Sequence, residues 1–155
     1  MWQRIQTVFL AMVVICMTVC IFLPIGIFND SVTGDSHQLY PIHYTVVSKD
    51  QKVTSYFPYA ISSILMAAAA TLAGISITKF ENRITQIKIG TLNSLLLALV
   101  MIAMVVFFNP LAKAYPDGRL GMNLWITFAA VTFNWLALRF IRRDEKLVRD
   151  SDRIR

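Results

Sequence analysis

The chain has 155 residues, of which 56% are hydrophobic and only 15% are charged, and its mean hydropathy is +0.57. This composition excludes an ordinary water-soluble domain and indicates an integral membrane protein. The formal net charge of +6 does not indicate nucleic-acid binding, because nucleic-acid-binding surfaces place basic residues beside polar and aromatic ones on a soluble face. We therefore expect the lipid bilayer, and not nucleic acid, as a partner.

Four apolar stretches have the length of about 20 residues that a helix needs to cross a bilayer. They lie at about 5–28, 56–78, 89–108 and 122–141. The first stretch is longer than the apolar region of a secretion signal and lacks a clear small-x-small cleavage site, so we interpret it as a retained span. The chain is predicted to be an all-α membrane protein, a single bundle of four transmembrane helices over residues 1–155.

The basic residues predict the orientation of this bundle, because short cytoplasmic segments retain Lys and Arg. Eleven of them lie before the first span, between the second and third spans, or at and after the end of the fourth. The two translocated connections contain only Lys49, Lys52, Lys113 and Arg119. We expect a multi-pass protein of the bacterial inner membrane, with its N and C termini in the cytoplasm.

The first translocated connection changes in composition along its length. Residues 29–36 are rich in turn-forming residues, which predicts irregular chain. Residues 42–57 place β-branched and aromatic runs on either side of the polar stretch 48–51, which predicts a small extracytoplasmic β-hairpin between the first two helices. Two strands alone are marginally stable in water, so the hairpin should rest on the helix ends or on a partner.

Small residues recur in the second and third spans. The second span contains Ser62, Ser63, a run of alanines at 67–70, Ala73 and Gly74, and the third contains Gly90, Ser94 and Ala98 at four-residue spacing. Small side chains allow helix backbones to approach closely in lipid. We expect these two faces to be buried between helices, against each other.

No Asp, Glu, Lys, Arg or His lies in the middle of a span, which argues against an ion-coupled carrier, because intramembrane charges usually serve transport. Asn93 and Asn134 are the polar residues that most need partners, either another helix or a ligand. His37 and His43 lie near acidic residues, but their spacing in a loop is weak evidence for a metal site. We predict no catalytic, metal or cofactor site.

The last segment, residues 142–155, is predicted to continue the fourth span as a charged cytoplasmic helix. Glu145 and Arg149, and likewise Lys146 and Asp150, are spaced for i, i+4 pairing. Such a helix either associates with anionic headgroups or docks on a partner.

Segments at both ends and in the middle of the chain resemble one family. At the ends they are Met1 and Gln3-Arg4-Ile5-Gln6-Thr7, and Asp144-Glu145-Lys146-Leu147-Val148-Arg149 with Asp152-Arg153-Ile154-Arg155. In the middle they are Asn82-Arg83, Gln86 and Leu92-Asn93. The resemblance is to small four-span membrane proteins of Bacteroidetes that are classed as a domain of unknown function. It implies a fold and a compartment, and it implies no reaction.

The resemblance directs attention to polar residues expected on the cytoplasmic side. The candidate interaction residues are Gln3, Arg4, Gln6, Arg83, Gln86, Asn93, Asn134, Asp144, Glu145, Arg149, Asp152 and Arg153. The leading hypothesis is an accessory or assembly subunit that binds another membrane protein. The alternative is a small oligomeric transporter or channel whose polar path is lined by Asn93, Asn134, Ser and Thr.

Overall fold

The long apolar runs form helices, which pair each backbone N–H and C=O group within its own segment, as the interior of a bilayer requires of a segment that crosses it. The computed structural model describes residues 3–30, 33–48, 51–80 and 82–152, without the side chains of residues 3, 4, 151 and 152. The four helices are α1 (Gln3–Phe22), α2 (Ala60–Thr78), α3 (Arg83–Ala114) and α4 (Met122–Asp152). Each is long and apolar enough to cross a membrane, which is consistent with a membrane protein.

The helices pack in a ring in which α1 lies between α2 and α4, and α3 lies opposite α1 between the same two helices. On α2 the buried residues repeat every three or four positions, so one stripe of the helix faces the core. The stripe consists of Ser62, Met66, Ala69, Ala73 and Ser76. It meets an apolar core to which α1 and α3 contribute, among others, Val13, Met17, Leu97 and Val100.

The prediction of an all-α bundle with one small hairpin is wrong, because a five-stranded antiparallel sheet covers one end of the helices. Its strands are β1 (Gly26–Asn29), β2 (Ser36–Leu39), β3 (Tyr44–Val47), β4 (Lys52–Ser55) and β5 (Arg119–Leu120), in the order β4-β3-β2-β1-β5. β3 and β4 are one edge of this sheet and not a separate hairpin.

Two of the strands beyond the expected hairpin, β1 and β2, lie in segments for which a span and an irregular chain were predicted. Most of β1 lies in the stretch assigned to the first span, but α1 ends at Phe22, before Pro24, and proline disfavours a further helical turn because it has no backbone N–H to donate. From Gly26 the burial alternates, with Phe28 inward and Ile27 outward, which is the period of a strand. β2 lies partly in the segment expected to be irregular, and its Leu39 pairs with Gly26.

Aromatic rings join the sheet to the helices. The ring of His37 stacks on Tyr115 at 4.1 Å between centroids, and its Nδ1 lies 2.7 Å from the hydroxyl of Tyr44. Tyr44 in turn packs on Tyr59, which meets Phe107 of α3 edge-on. Burial raises the pKa of Tyr44 to about 12, so this hydroxyl stays protonated and available as a donor at neutral pH.

The expected contact between the small-residue faces of α2 and α3 is wrong in part. A Cβ atom at Gly90 would lie 2.7 Å from Cδ2 of Leu138, so Gly90 faces α4. Ala98 is exposed on the bundle surface, and Ser94, also exposed, is joined to α4 through its hydroxyl. At Gly74 of α2 a Cβ atom would meet nothing within 4 Å, so only part of the small-residue run on α2 is used for packing.

Candidate functional site

The two ends of the bundle differ in charge. One end is covered by the sheet, and we call it the sheet end. The other, which we call the basic end, contains the start of α1, the end of α2, the start of α3 and the second half of α4. Its basic residues include Lys79, Arg83, Lys88, Arg139, Arg142, Arg143, Lys146 and Arg149.

Four amide side chains lie inside the half of the bundle next to the basic end, and we call them the buried amides. They are Gln6 of α1, Gln86 and Asn93 of α3, and Asn134 of α4, each 1% exposed or less. Because a polar group in an apolar interior costs free energy unless it is hydrogen-bonded, the partners of these amides decide what they can do.

Asn93 and Asn134 join α3 to α4. Nδ2 of Asn93 donates to Oδ1 of Asn134 over 3.2 Å. Nδ2 of Asn134 donates to the carbonyl of Gly90 at 3.2 Å and to Oγ of Ser94 at 2.8 Å. Interhelical bonds of this kind in membrane proteins stabilise by about 0.6 kcal/mol on average, so this set holds the two helices in register.

Gln86 joins α3 to α2, since its Nε2 donates to the carbonyl of Ser76 at 2.8 Å. Three other amide atoms, Nε2 of Gln6, Oε1 of Gln86 and Oδ1 of Asn93, have no hydrogen-bond partner within the described part of the chain. Buried polar atoms are rarely left unpaired. The buried amides therefore retain hydrogen-bonding capacity inside the bundle, whereas they offer no exposed contact surface.

Arg83 and Asp144 form an ion pair at the basic end. Nε of Arg83 lies 3.1 Å from Oδ2 of Asp144, and the two side chains are 24% and 20% exposed. Arg83 is the first residue of α3, which is capped by Asn82 through its Oδ1 and the backbone N–H of Thr85. The pair therefore ties the start of α3 to the point where α4 leaves the bundle.

Beyond this ion pair α4 continues for residues 145–152, which we call the α4 extension. At 1.5 Å per residue it projects about 12 Å past the first residue of α3. It bears exposed Arg149 and half-buried Glu145, and Leu147 is 60% exposed. A cleft of about 140 Å³ at its base is lined by Phe140, Arg143, Asp144 and Leu147.

The structure thus separates the candidate interaction residues into groups. Gln6, Arg83, Gln86, Asn93, Asn134 and Asp144 lie in the bundle, and Glu145 and Arg149 lie on the α4 extension. Gln3, Arg4 and Asp152 are helical residues whose side chains are not described, and Arg153 lies outside the described residues.

Several residues of the site were missed from the sequence. Ser76 and Gly90 act through backbone carbonyls, which side-chain patterns do not reveal. Asn123 was also missed: it is buried, and its Nδ2 donates to the carbonyls of Cys20 and Leu23 at 2.6 and 2.8 Å. It thereby supplies donors to two carbonyls at and just beyond the end of α1, where donors within the helix run out; the carbonyl of Cys20 also accepts from the backbone N–H of Leu23 at 3.3 Å. Its position at the start of the predicted span 122–141 is the sequence feature that could have identified Asn123 as a polar side chain in need of a partner.

The two histidines lie in the sheet end. His37 is buried against Tyr44 and Tyr115, and the ring of His43 stacks on Tyr40 at 5.0 Å. Over the described ranges, no three His, Cys, Asp or Glu side chains form a group that could hold a metal ion.

Four helices long and apolar enough to cross a membrane, with a sheet over one end and buried amides near the other, are consistent with a membrane protein. A family model described as a domain of unknown function (DUF4293) matches residues 2–154. The chain belongs to this family. No curated protein matches it.

Proposed function

We propose that this protein is an accessory or assembly subunit of a larger complex in a bacterial inner membrane, with no catalysis of its own. The observation that carries the proposal is the α4 extension, which projects beyond the bundle and presents Leu147 at 60% exposure among charged residues. Exposed apolar groups along the spans are covered by lipid. Leu147 and its neighbour Val148, 60% and 42% exposed, lie together on a charged helix outside the bundle, and adjacent exposed apolar groups favour a contact surface.

The charge distribution supports the orientation that this proposal needs. Eleven of the 15 basic residues belong to the connections and the tail at the basic end, and cytoplasmic segments are the ones that retain such residues. Both termini and the α4 extension then face the cytoplasm, and the sheet lies on the opposite side of the membrane. The partner is a membrane protein whose cytoplasmic surface offers an apolar depression for Leu147 and charges for Glu145 and Arg149.

The alternative, an oligomeric transporter or channel, needs a polar path along Asn93 and Asn134. These two side chains are buried and bonded to each other within one chain, so they act as a link between α3 and α4. We therefore prefer the subunit hypothesis.

The test is affinity purification in mild detergent of the N-terminally tagged chain at native expression level, followed by mass spectrometry. Four forms are compared: wild type, a chain truncated after Arg143, Leu147→Glu and Val53→Glu. Val53 is the matched control, because it is also an apolar residue at 60% exposure but lies in β4 at the sheet end.

We expect a stoichiometric partner with wild type and Val53→Glu, and its loss with the truncation and with Leu147→Glu. Recovery of the chain only as a homo-oligomer in all four forms would refute the proposal and favour flux measurements in liposomes. A fluorescent protein fused to the C terminus checks the orientation, since it should fluoresce only if that end is cytoplasmic.

A further inference from the structure

A groove opens on the side of the bundle at the sheet end, where α3 and the start of α4 meet β1 and β5. We call it the lateral groove. Its lower part, about 220 Å³, is lined by Asn109 and by the apolar residues Ile25, Met104, Val105, Phe108, Leu120 and Leu124. Its upper part, about 330 Å³, is lined by Ile27, Asn29, Arg119, Leu120 and Gly121. Leu120 of the edge strand β5 lines both parts.

Close backbone packing fixes Arg119 at the rim of this groove. A Cβ atom at Gly118 would overlap the ring of Phe28, and one at Gly121 would overlap the carbonyl oxygen of Pro24. The backbone N–H of Gly121 donates to the carbonyl of Ile25 at 2.8 Å. Both glycines therefore press β5 against the chain that follows α1, and Arg119 between them is held in place.

The lateral groove has a gradient of polarity along its length. The lower part is lined by one polar residue, Asn109, and otherwise by apolar residues, whereas two of the five residues that line the upper part, Asn29 and Arg119, have polar or charged side chains. Within the described residues no carboxylate forms an ion pair with Arg119. Trp125, next to Leu124 on α4, is 64% exposed, and exposed tryptophans favour the headgroup level of a bilayer. The upper part then lies at the headgroups and the lower part among the acyl chains.

We propose that the lateral groove binds one phospholipid of the surrounding leaflet, with its phosphate on Arg119 and an acyl chain in the lower part. A cation above an apolar channel matches a phosphate linked to an acyl chain, and guanidinium groups bind phosphate oxygens through two parallel hydrogen bonds. Transfer of an acyl chain from lipid to the groove brings no hydrophobic gain, because lipid tails are as apolar as leucine. Selectivity therefore comes from the headgroup.

The test is native mass spectrometry of the full chain, extracted from membranes in mild detergent and titrated with didecanoyl phosphatidylglycerol. Arg119→Gln is compared with Lys113→Gln, which removes the same charge at the sheet end from a residue that does not line the groove. Val105→Trp, which fills the lower part, is compared with Val106→Trp. Val105 and Val106 are adjacent on α3, are 54% and 57% exposed, and only Val105 lines the groove.

We expect wild type to retain one lipid and Arg119→Gln to bind it about tenfold more weakly, because this variant loses a hydrogen-bonded contact between guanidinium and phosphate, whereas Lys113→Gln removes only a charge. Val105→Trp should abolish retention, and both control variants should bind as wild type does. Equal effects of Arg119→Gln and Lys113→Gln, or of Val105→Trp and Val106→Trp, would overturn the proposal. Displacement of the lipid by glycerol phosphate would also overturn it, because the site would then be one for free phosphate.

The inference rests on the proposed membrane location, and the two are tested separately. Recovery of the chain in the soluble fraction without detergent would refute the location. A chain that is extracted only by detergent but shows no difference among these variants refutes the lipid site alone.

Discussion

Gly90 provides the sharpest test of how α3 and α4 are held together. Gly90→Ala places a Cβ atom 2.7 Å from Cδ2 and 3.2 Å from Cγ of Leu138, a side chain only 7% exposed. Because Leu138 is buried, its side chain has little free space into which to rotate, so the leucine and α4 must give by a few tenths of an ångström. A shift of α4 would also stretch the 3.2 Å hydrogen bond from Asn134 to the carbonyl of Gly90.

The change in the free energy of unfolding that Gly90→Ala should cause has two contributions. Overpacking of a close-packed interior costs about 1–3 kcal/mol, and replacement of glycine by alanine inside a helix gains up to about 1 kcal/mol. Gly74→Ala has the second term without the first, because nothing lies within 4 Å of its Cβ position. The helix-propensity gain cancels in the comparison, so Gly90→Ala should be less stable than Gly74→Ala by about 1–3 kcal/mol.

The assay is unfolding of the detergent-solubilised protein by sodium dodecyl sulfate, followed by far-ultraviolet circular dichroism. A double-mutant cycle with Leu138→Ala isolates the overlap, because Gly90→Ala should cost nothing once the leucine is truncated. If Gly90→Ala is as stable as Gly74→Ala, or if its cost persists in the Leu138→Ala background, the close approach of α3 and α4 at Gly90 is not what holds this interface.

Two further outcomes follow from contacts at opposite ends of the bundle. A double-mutant cycle of Arg83→Gln and Asp144→Asn should give a coupling free energy of about 1 kcal/mol, the upper range for a partly exposed pair. This coupling should decrease in high salt. A coupling of zero would mean that the ion pair does not anchor α3. Tyr44→Phe should cost about 1 kcal/mol at neutral pH through loss of its hydrogen bond with His37. The pKa of Tyr44 is raised from 10.0 to about 12, so between these values the native state keeps a proton that the unfolded state loses. Wild-type stability should therefore fall as the pH rises from about 10 to 12, and in Tyr44→Phe this fall should be smaller. An identical pH dependence of the unfolding midpoint in the two proteins would contradict the raised pKa of Tyr44.

Some features could be recognised from the local sequence, and others depend on which segments meet. Asn93 and Asn134 could be identified as residues that need partners, because an amide in an apolar run has few alternatives. That they bond to each other, while Gln6 and Gln86 lie buried beside the basic end, follows from the way four helices pack. The composition of residues 142–155 predicted a charged helix, but the exposure of Leu147 follows from the point at which α4 leaves the bundle.

The sheet shows the same division most clearly. β1 and β5 are separated along the chain by α2 and α3, yet they pair, with Gly26 opposite Leu120. Nothing in either short segment specifies such a distant partner. The apolar residues 23–28 fit the end of a span in composition, and only the turn at Pro24 and the pairing with β2 make part of them a strand. The lateral groove exists because this sheet edge lies over α3 and α4.

The sequence by itself determined that four segments of this chain are long apolar helices, because length and hydropathy are local properties and lipid leaves a spanning backbone few other solutions. The tertiary structure decided the five-stranded sheet, the burial of the four amides and the position of Arg119 above an apolar groove. These features depend on contacts between residues far apart in the chain, and such contacts are selected by how well whole surfaces fit together, which no single segment encodes.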